Sequence, residues 1–328
     1  MSTPTMRAVV LDQPGGPEVL RIREIPRPSA KPGWVLVQVK AFGLNRSELF
    51  TRQGHSPGVA LPRVLGIECV GVVAESAEAR LPVGTTVAAV MGGMGRAFDG
   101  GYAEYALLPA AQLMALRTTL DWATLGALPE TFLTAQGSLD TLAPRAGERL
   151  LIRGGTSSVG LAALGLAKAH GLVVGSTTRS ALKAETLRKR GADHVFFENE
   201  SLREEVRAQW PDGPEYVYDL IGATAILDSL KIVRRGGIVC SAGVLGNRWA
   251  IPEFEPATAI PTGTKLTAYG SNVINAESAT ATMQHIVDLV ASGALDPNVD
   301  RVFAFDEIVE AHRVMESNGA TGKLVVVV

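Results

Sequence analysis

Arg149-Leu150-Leu151-Ile152-Arg153-Gly154-Gly155-Thr156-Ser157-Ser158-Val159-Gly160 is a short apolar run that ends in two glycines and passes through Thr-Ser-Ser. It reopens as a small-residue helical pattern from Leu161 to His170. The stretch predicts a strand, a tight turn and the first turn of a helix. Such a turn aims free backbone N–H groups and the positive end of a helix dipole at one point, where a pyrophosphate can sit. Gly154, Ser157 and Gly160 stand at the three fingerprint positions, with serine in place of the middle glycine. A Cβ at a fingerprint glycine would block the turn or the approach of the phosphates, whereas a serine can add a hydroxyl donor. An ordinary glycine-rich strand-to-helix turn shares the same pattern, so the neighbouring chain has to decide.

Leu172 to Ser176 is a second apolar run, separated from the first by one helix that stops at Gly171, where a left-handed cap belongs. In a strand–turn–helix–strand unit the tip of the second strand meets the adenine ribose. An acid there holds the 2′-OH of NAD, and a cation accommodates the 2′-phosphate of NADP. Here the tip reads Ser176-Thr177-Thr178-Arg179-Ser180 with Lys183 just beyond, and no carboxylate stands in it. The pattern favours NADPH, with Thr178, Arg179 and Lys183 as candidate contacts beside Gly154, Thr156, Ser157, Ser158 and Val159.

Outward from this unit, residues 6–125 read as short strands between Pro and Gly punctuation. Met6–Leu11, Leu20–Ile25, Trp34–Val39, Val64–Glu75 and Thr86–Val90 are such runs, and Asp99–Leu107 reads as a turn feeding another. That spacing predicts a partly open β-barrel, with a short polar helix over Asn45 to Arg52. From Trp122 onward, helices alternate with short buried strands. The helices are Leu125–Leu142, Ala181–Arg190, one begun by the capping-box spacing Ser201-x-x-Glu204, and Ala225–Val233. The strands are His194–Phe197, Tyr216–Ile221, Gly237–Gly243 and Lys265–Gly270. Alternation of this kind demands a doubly wound parallel sheet of the Rossmann type, in an α/β chain. A helix over Ala279–Ser292 and a closing strand over Gly322–Val328 follow.

The 328 residues suffice for two domains, and 46% apolar with 20% charged residues is ordinary globular material. Lys plus Arg number 31 against 33 acids, for a net charge of −2, which leaves no electrostatic footprint for nucleic acid or an anionic membrane. No uncharged apolar run reaches 18 residues and no signal-peptide core opens the chain, so a cytoplasmic protein is expected. Cys69 and Cys240 are the two cysteines and form no CxxC, which fits a reducing compartment and excludes a cysteine-rich zinc site.

The order of these parts resembles the medium-chain dehydrogenase/reductase superfamily, in its zinc-independent quinone oxidoreductase branch. The resemblance spans essentially the whole chain. It is carried by Ala41-Phe42-Gly43-Leu44-Asn45-Arg46-Ser47-Glu48, Leu65-Gly66-Ile67-Glu68, Gly100-Gly101-Tyr102-Ala103-Glu104-Tyr105, the nucleotide turn, Gly191-Ala192-Asp193-His194-Val195 and Gly322-Lys323-Leu324-Val325-Val326. It implies a GroES-like barrel domain over 1–124 that residues 271–328 rejoin, a Rossmann domain over 125–270, a cleft between them where nicotinamide meets substrate, and a homodimer. It also implies that Asn45 lies beside the nicotinamide ribose and substrate, that Thr134 contacts the nicotinamide end, that Ser157, Ser158 and Val159 meet the pyrophosphate, and that Gly243, Val244, Tyr269, Gly270 and Ser271 border the cofactor. Arg52 and Tyr102 are the further catalytic candidates.

Departures from the zinc enzymes of the superfamily point the same way. At their ligand positions this chain has Asn45 and Arg46, Ile67 before Glu68, and Glu130 in Leu128-Pro129-Glu130-Thr131; the five histidines are scattered without ligand spacing. No metal is expected. Without a Lewis acid an ordinary alcohol is hard to oxidise, whereas a quinone or an α,β-unsaturated carbonyl can be reduced with a few hydrogen-bond donors at the developing oxyanion. Such a small-molecule substrate is the leading expectation. An enoyl-thioester reductase and a non-catalytic NADPH-binding sensor or structural protein stand as alternatives. Phe50, where some relatives carry a tyrosine, keeps the last one open. A tyrosine that helps hold the 2′-phosphate in some relatives is matched by Glu198, an acid that would repel phosphate if it faced the site.

Overall fold

The structure, a computed structural model, describes residues 4–328. Its described residues divide into two compact units, 4–133 with Asn272–Val328, and Thr134–Ser271.

In the first unit the strands are β1 (Thr5–Leu11), β2 (Arg21–Pro26), β3 (Trp34–Gly43), β4 (Arg63–Val64), β5 (Glu68–Glu75), β6 (Thr86–Val90), β7 (Tyr105–Pro109) and β8 (Leu113–Ala115). Helix α1 (Arg46–Arg52) follows β3, and α2 (Trp122–Gly126) follows β8. The chain returns to this unit at its end through α9 (Ala276–Ala291), β15 (Val299–Ala304), α10 (Ile308–Glu316) and β16 (Lys323–Val327), numbered after the elements of the second unit. One sheet has the order β2-β1-β4; the other runs β15-β16-β3-β5-β6-β8, with β7 also on β3. Val35, Val37, Val39, Phe42, Leu108, Phe303 and Val326 belong to one core, which explains why the closing strand is apolar almost throughout.

Helix α3 (Pro129–Leu142) carries the boundary between the units. The second unit then alternates β9 (Arg149–Arg153), α4 (Ser158–Ala169), β10 (Val173–Thr178), α5 (Ala181–Lys189), β11 (His194–Phe197), α6 (Leu202–Gln209), β12 (Tyr216–Asp219), α7 (Ile226–Ile232), β13 (Ile238–Ser241), α8 (Pro256–Ala259) and β14 (Lys265–Ala268). All its pairings are parallel, in the order β11-β10-β9-β12-β13-β14. Leu150, Leu151 and Ile152 of the central strand are fully buried, as expected for a strand covered on both faces. The chain order reverses next to β9, so the crevice for a ligand lies at the carboxyl ends of β9 and its neighbours.

Three local expectations are corrected. The helix read over Leu125–Leu142 is two helices, because the chain turns at Ala127 and Leu128 before Pro129 restarts it. Val64–Glu75 is interrupted at Gly66, whose φ of +103° takes it out of the strand. Ser201 does not cap α6 with its side chain and is itself helical; Asn199 makes that turn by accepting from the Ser201 N–H at 2.8 Å. No helix among the described residues is long and apolar enough to cross a membrane. Both cysteines are buried, and burial first, with a nearby carboxylate second, pushes each thiol up to about 12.

Candidate active site

Gly154 leaves β9 with φ +82°, and β10 holds it there: Thr177 Oγ1 accepts from the Gly154 N–H and the Thr177 carbonyl from the Gly155 N–H, both at 3.0 Å. Ser157 is the N-cap of α4. Its hydroxyl donates to the Gly154 carbonyl at 2.8 Å and accepts from the Gly160 N–H at 3.1 Å, so it braces the turn from inside. Helix geometry leaves the N–H groups of Ser158 and Val159 without an intrahelical partner, and these are the donors a pyrophosphate would use. A Cβ on Gly160 would lie 2.6 Å from the Gly154 carbonyl oxygen and 2.8 Å from Gly155. Gly160→Ala favours the helix by propensity yet forces α4 off the turn. We expect it to weaken dinucleotide binding tenfold or more, about 1.4 kcal/mol, in a fluorescence titration on protein whose circular dichroism is unchanged.

At the next strand tip Thr178 is buried and Arg179 is exposed, with Lys183 half-buried in the first turn of α5. The acid that follows β11, Glu198, donates its N–H to the Thr178 carbonyl at 2.9 Å, while its carboxylate turns to Arg153. Arg153 reaches Glu198 through Nε at 3.1 Å and also through Nη2; its Nη1 bonds Asp228 and Ser229 Oγ, each at 2.9 Å. Ser229 in turn donates to Asp219 Oδ2 at 2.6 Å. Glu198 is therefore neutralised by a buried guanidinium. Burial pulls the Arg153 pKa down, but Glu198, Asp219 and Asp228 together hold it above its ordinary value.

Beyond β12 and β13 a hollow of about 350 Å³ is lined by Gly222, Ala223, Ser241, Gly243, Val244 and Trp249, among others. Gly243 packs where a Cβ would meet the Leu220 backbone, which lets the two strand exits lie side by side. Tyr269 follows β14, donates its N–H to the Ser241 carbonyl at 3.0 Å and packs its ring over Gly137 of α3; Gly270 and Ser271 come next. Thr134 is buried at the start of the α3 segment that belongs to this unit. The carboxyl edge of one sheet thus carries the turn, the strand tip and the loops after β13 and β14.

In the barrel unit the polar residues gather around Asn45, the N-cap of α1. Its amide Nδ2 donates to Glu68 Oε1 at 2.8 Å, and its Oδ1 accepts from Lys323 Nζ at 2.7 Å. Lys323 also donates to Glu68 Oε1 at 2.6 Å, and both of these side chains are wholly buried. Glu68 Oε2 accepts from the Glu130 N–H at 2.9 Å. Glu48 accepts from the N–H groups of Ile67, at 2.9 Å, and Asn45, at 3.1 Å; burial lifts its carboxyl to about 7 against these donors. Arg52 and Tyr102 also lie fully buried. Arg52 Nη2 bonds Glu316 at 2.8 Å, and the Tyr102 hydroxyl shares a hydrogen with His312 Nε2 at 3.2 Å while its ring stacks on Phe42. Asn45 is half-buried and is the member of the candidate catalytic set that retains exposed surface.

Sequence reading passed over Lys323 as a site residue. Its signal was a lysine heading the otherwise apolar Leu324–Val328, matched by an acid heading the apolar strand Glu68-Cys69-Val70. Among the described residues no group of three or more His, Cys, Asp or Glu converges to hold a metal. Asn45 and Glu68 face an ammonium, a donor set that does not suit zinc.

The alcohol dehydrogenase GroES-like domain model matches residues 31–118, and the zinc-binding dehydrogenase model matches residues 190–326. A quinone oxidoreductase of Pseudomonas aeruginosa is 30% identical over 322 residues, which cover 95% of this chain and 96% of that one. The chain belongs to the medium-chain dehydrogenase/reductase superfamily, in its quinone oxidoreductase branch. Among solved structures, a mycobacterial protein in complex with NADPH superposes with a TM-score of 0.88 at 25% identity over 98% of this chain and 100% of that one. A protein described as an NAD-dependent alcohol dehydrogenase gives 0.87 at 29% identity, over 98% and 100%. This member of the superfamily is a nicotinamide-dependent oxidoreductase with a GroES-like unit and a Rossmann unit.

Proposed function

We propose that this chain is an NADPH-dependent reductase that delivers hydride to a quinone or an α,β-unsaturated carbonyl without a metal. The observation that carries the cofactor choice is the tip of β10, where Arg179 is exposed and Glu198 is neutralised by Arg153. Ser158 and Val159 hold the pyrophosphate with their N–H groups on a turn kept open by Gly154 and Gly160, with Thr156 and Ser157 shaping it. Thr178, Arg179 and Lys183 take the 2′-phosphate, and Thr134, Gly243, Val244, Tyr269, Gly270 and Ser271 frame the nicotinamide end. NADPH, when bound, supplies the hydride.

Asn45 serves the substrate. As negative charge gathers on the conjugated carbonyl oxygen, a side-chain N–H of Asn45 donates to it, and solvent supplies the proton that completes the reduction. Arg52 and Tyr102, with no exposed surface, shape the barrel side through Glu316 and His312. The enzyme works on small molecules in the cytoplasm as a homodimer, an assembly that sedimentation equilibrium would detect.

NADPH oxidation followed at 340 nm over a panel of quinones and enones is the direct experiment. Tight NADPH binding without turnover on any of them would favour the sensor reading instead. Arg179→Asp is expected to weaken NADPH by about 1–3 kcal/mol, the scale of a charge-assisted hydrogen bond, and to spare NADH. Equal losses for both cofactors would remove Arg179 from the phosphate site.

A further inference from the structure

We propose that Lys323 and Glu68 are positioning residues that fix which way the Asn45 side-chain amide points, so that one Asn45 N–H is held in a single orientation toward the substrate oxygen. The role given to Asn45 rests on the reductase reading above; the lock itself rests on the geometry of the barrel unit.

The three side chains form a closed triangle: Lys323 Nζ to Asn45 Oδ1 at 2.7 Å, Lys323 Nζ to Glu68 Oε1 at 2.6 Å, and Asn45 Nδ2 to Glu68 Oε1 at 2.8 Å. An ammonium only donates and a carboxylate only accepts. The amide therefore has one orientation, oxygen to lysine and nitrogen to glutamate. Turning it over would set N–H against ammonium and oxygen against carboxylate, replacing two charge-assisted hydrogen bonds by two repulsions. Neutral partners such as serine or glutamine can donate or accept and would leave both orientations open.

The surroundings are built for this pair. A buried ammonium and carboxylate each carry a desolvation penalty that only close pairing offsets. Here the carboxylate is satisfied on both oxygens, since Glu130 N–H donates to Oε2 at 2.9 Å. A Cβ on Gly43 would overlap Lys323 Cε and lie 2.6 Å from Glu68 Oε1, so the glycine at the end of β3 leaves the space in which the two charges meet. One hydrogen of Asn45 Nδ2 is committed to Glu68. The other, fixed in direction by the plane of the same amide, has the Gly43 carbonyl and Glu48 Oε1 at 3.5 Å, the outer limit of a hydrogen bond, so its capacity to donate is left for a ligand oxygen. Because the ammonium and carboxylate cancel at a distance, their effect is orientation rather than a long-range field.

Lys323→Met alone would strand the Glu68 carboxylate in the core, so the working variant is the neutral double substitution Lys323→Met/Glu68→Gln. Its kcat with NADPH and 1,4-benzoquinone is expected to fall about 10–100-fold, the scale of a misplaced contact, with NADPH affinity unchanged within about twofold. Asn45→Ala should fall by a similar factor. The decisive result is the triple variant: if the pair acts through Asn45, adding the double substitution to Asn45→Ala costs no further activity. Losses that multiply, or a double variant with full kcat, would overturn the proposal.

A second readout needs no turnover. In protein labelled with 15N at asparagine, the Asn45 side-chain signals, assigned by their loss in Asn45→Ala, should include one proton protected from exchange, and the double variant should lose that protection. Equal exchange of both protons in the wild type would refute the lock. Inertness of the wild type on every quinone and enone, with that protection present, would sink the reductase reading and leave the lock standing.

Discussion

Arg153→Met is expected to destabilise the Rossmann unit by about 3–5 kcal/mol, the cost of leaving buried carboxylates without their cation. Arg153 is 4% exposed and ties together Glu198 after β11, Asp228 and Ser229 on α7, and the Ala225 carbonyl at 3.2 Å. Asp219, fully buried on β12, already has its pKa raised by burial, against Ser229, two backbone N–H groups and the Arg153 charge. Without the guanidinium, Glu198 would lose its hydrogen-bonded cation and Asp219 the nearby positive charge that offsets its burial, in a medium that screens poorly. The double variant Arg153→Met/Glu198→Gln should recover part of the loss. The same pair of variants separates stability from cofactor choice. With Glu198 unopposed beside the tip of β10, the single variant should lose NADPH affinity more than NADH affinity, and the double variant should restore the ratio. Urea midpoints by circular dichroism give the first result and fluorescence titrations the second. A single variant as stable as the wild type would mean that water reaches this cluster.

What could be read from the sequence was local chemistry. Gly154 and Gly160 were legible because each answers a steric demand within a dozen residues, one a positive φ and the other a close backbone approach. The parallel, doubly wound character of the second sheet followed from the alternation of helices and short apolar strands, whereas its strand order came only with the structure. The residues that organise charge were not legible in this way. Glu68 and Lys323 are 255 positions apart, and Arg153 and Glu198 are 45 apart; nothing periodic links such partners before the chain has folded. Ser157 shows the limit at short range: the hydroxyl suits a phosphate by type, but its geometry as a helix cap turns it onto Gly154. Ser201-x-x-Glu204 has the spacing of a capping box, yet Asn199 makes the turn first. Type and spacing propose a contact, and competition among neighbouring donors and acceptors decides it.

The same competition sets the acid stability of the barrel unit, through His312. The ring on α10 is wholly buried, with Tyr102 on Nε2 and the Arg52 guanidinium nearby. Burial first, and the Arg52 charge second, bring its pKa down to about 3. An unfolded chain protonates this histidine below about 6.5, whereas the folded chain does so only near 3. Between those values the unfolded state holds the extra proton, so stability falls as the pH is lowered, by about 5 kcal/mol over the window. Glu48 acts with the opposite sign. Its folded pKa of about 7 lies above the unfolded value, so the folded state holds the extra proton between roughly 4.5 and 7, and stability falls there as the pH rises. The two slopes oppose one another between about pH 4.5 and 6.5, and below that His312 acts without this compensation. Glu215, held at about 2 by Arg149, adds a further acid-side loss in the Rossmann unit. The informative quantity is therefore the difference between wild type and His312→Gln, in which groups common to both cancel. Glutamine keeps a polar partner for the Tyr102 hydroxyl and cannot be charged, so the variant should lose about 1 kcal/mol at pH 7 from imperfect packing. It should then overtake the wild type as the pH falls toward 3. Urea midpoints taken at half-unit steps from pH 7 to pH 3 measure the crossing, and two curves that ran parallel over the whole range would place the His312 ring in contact with water.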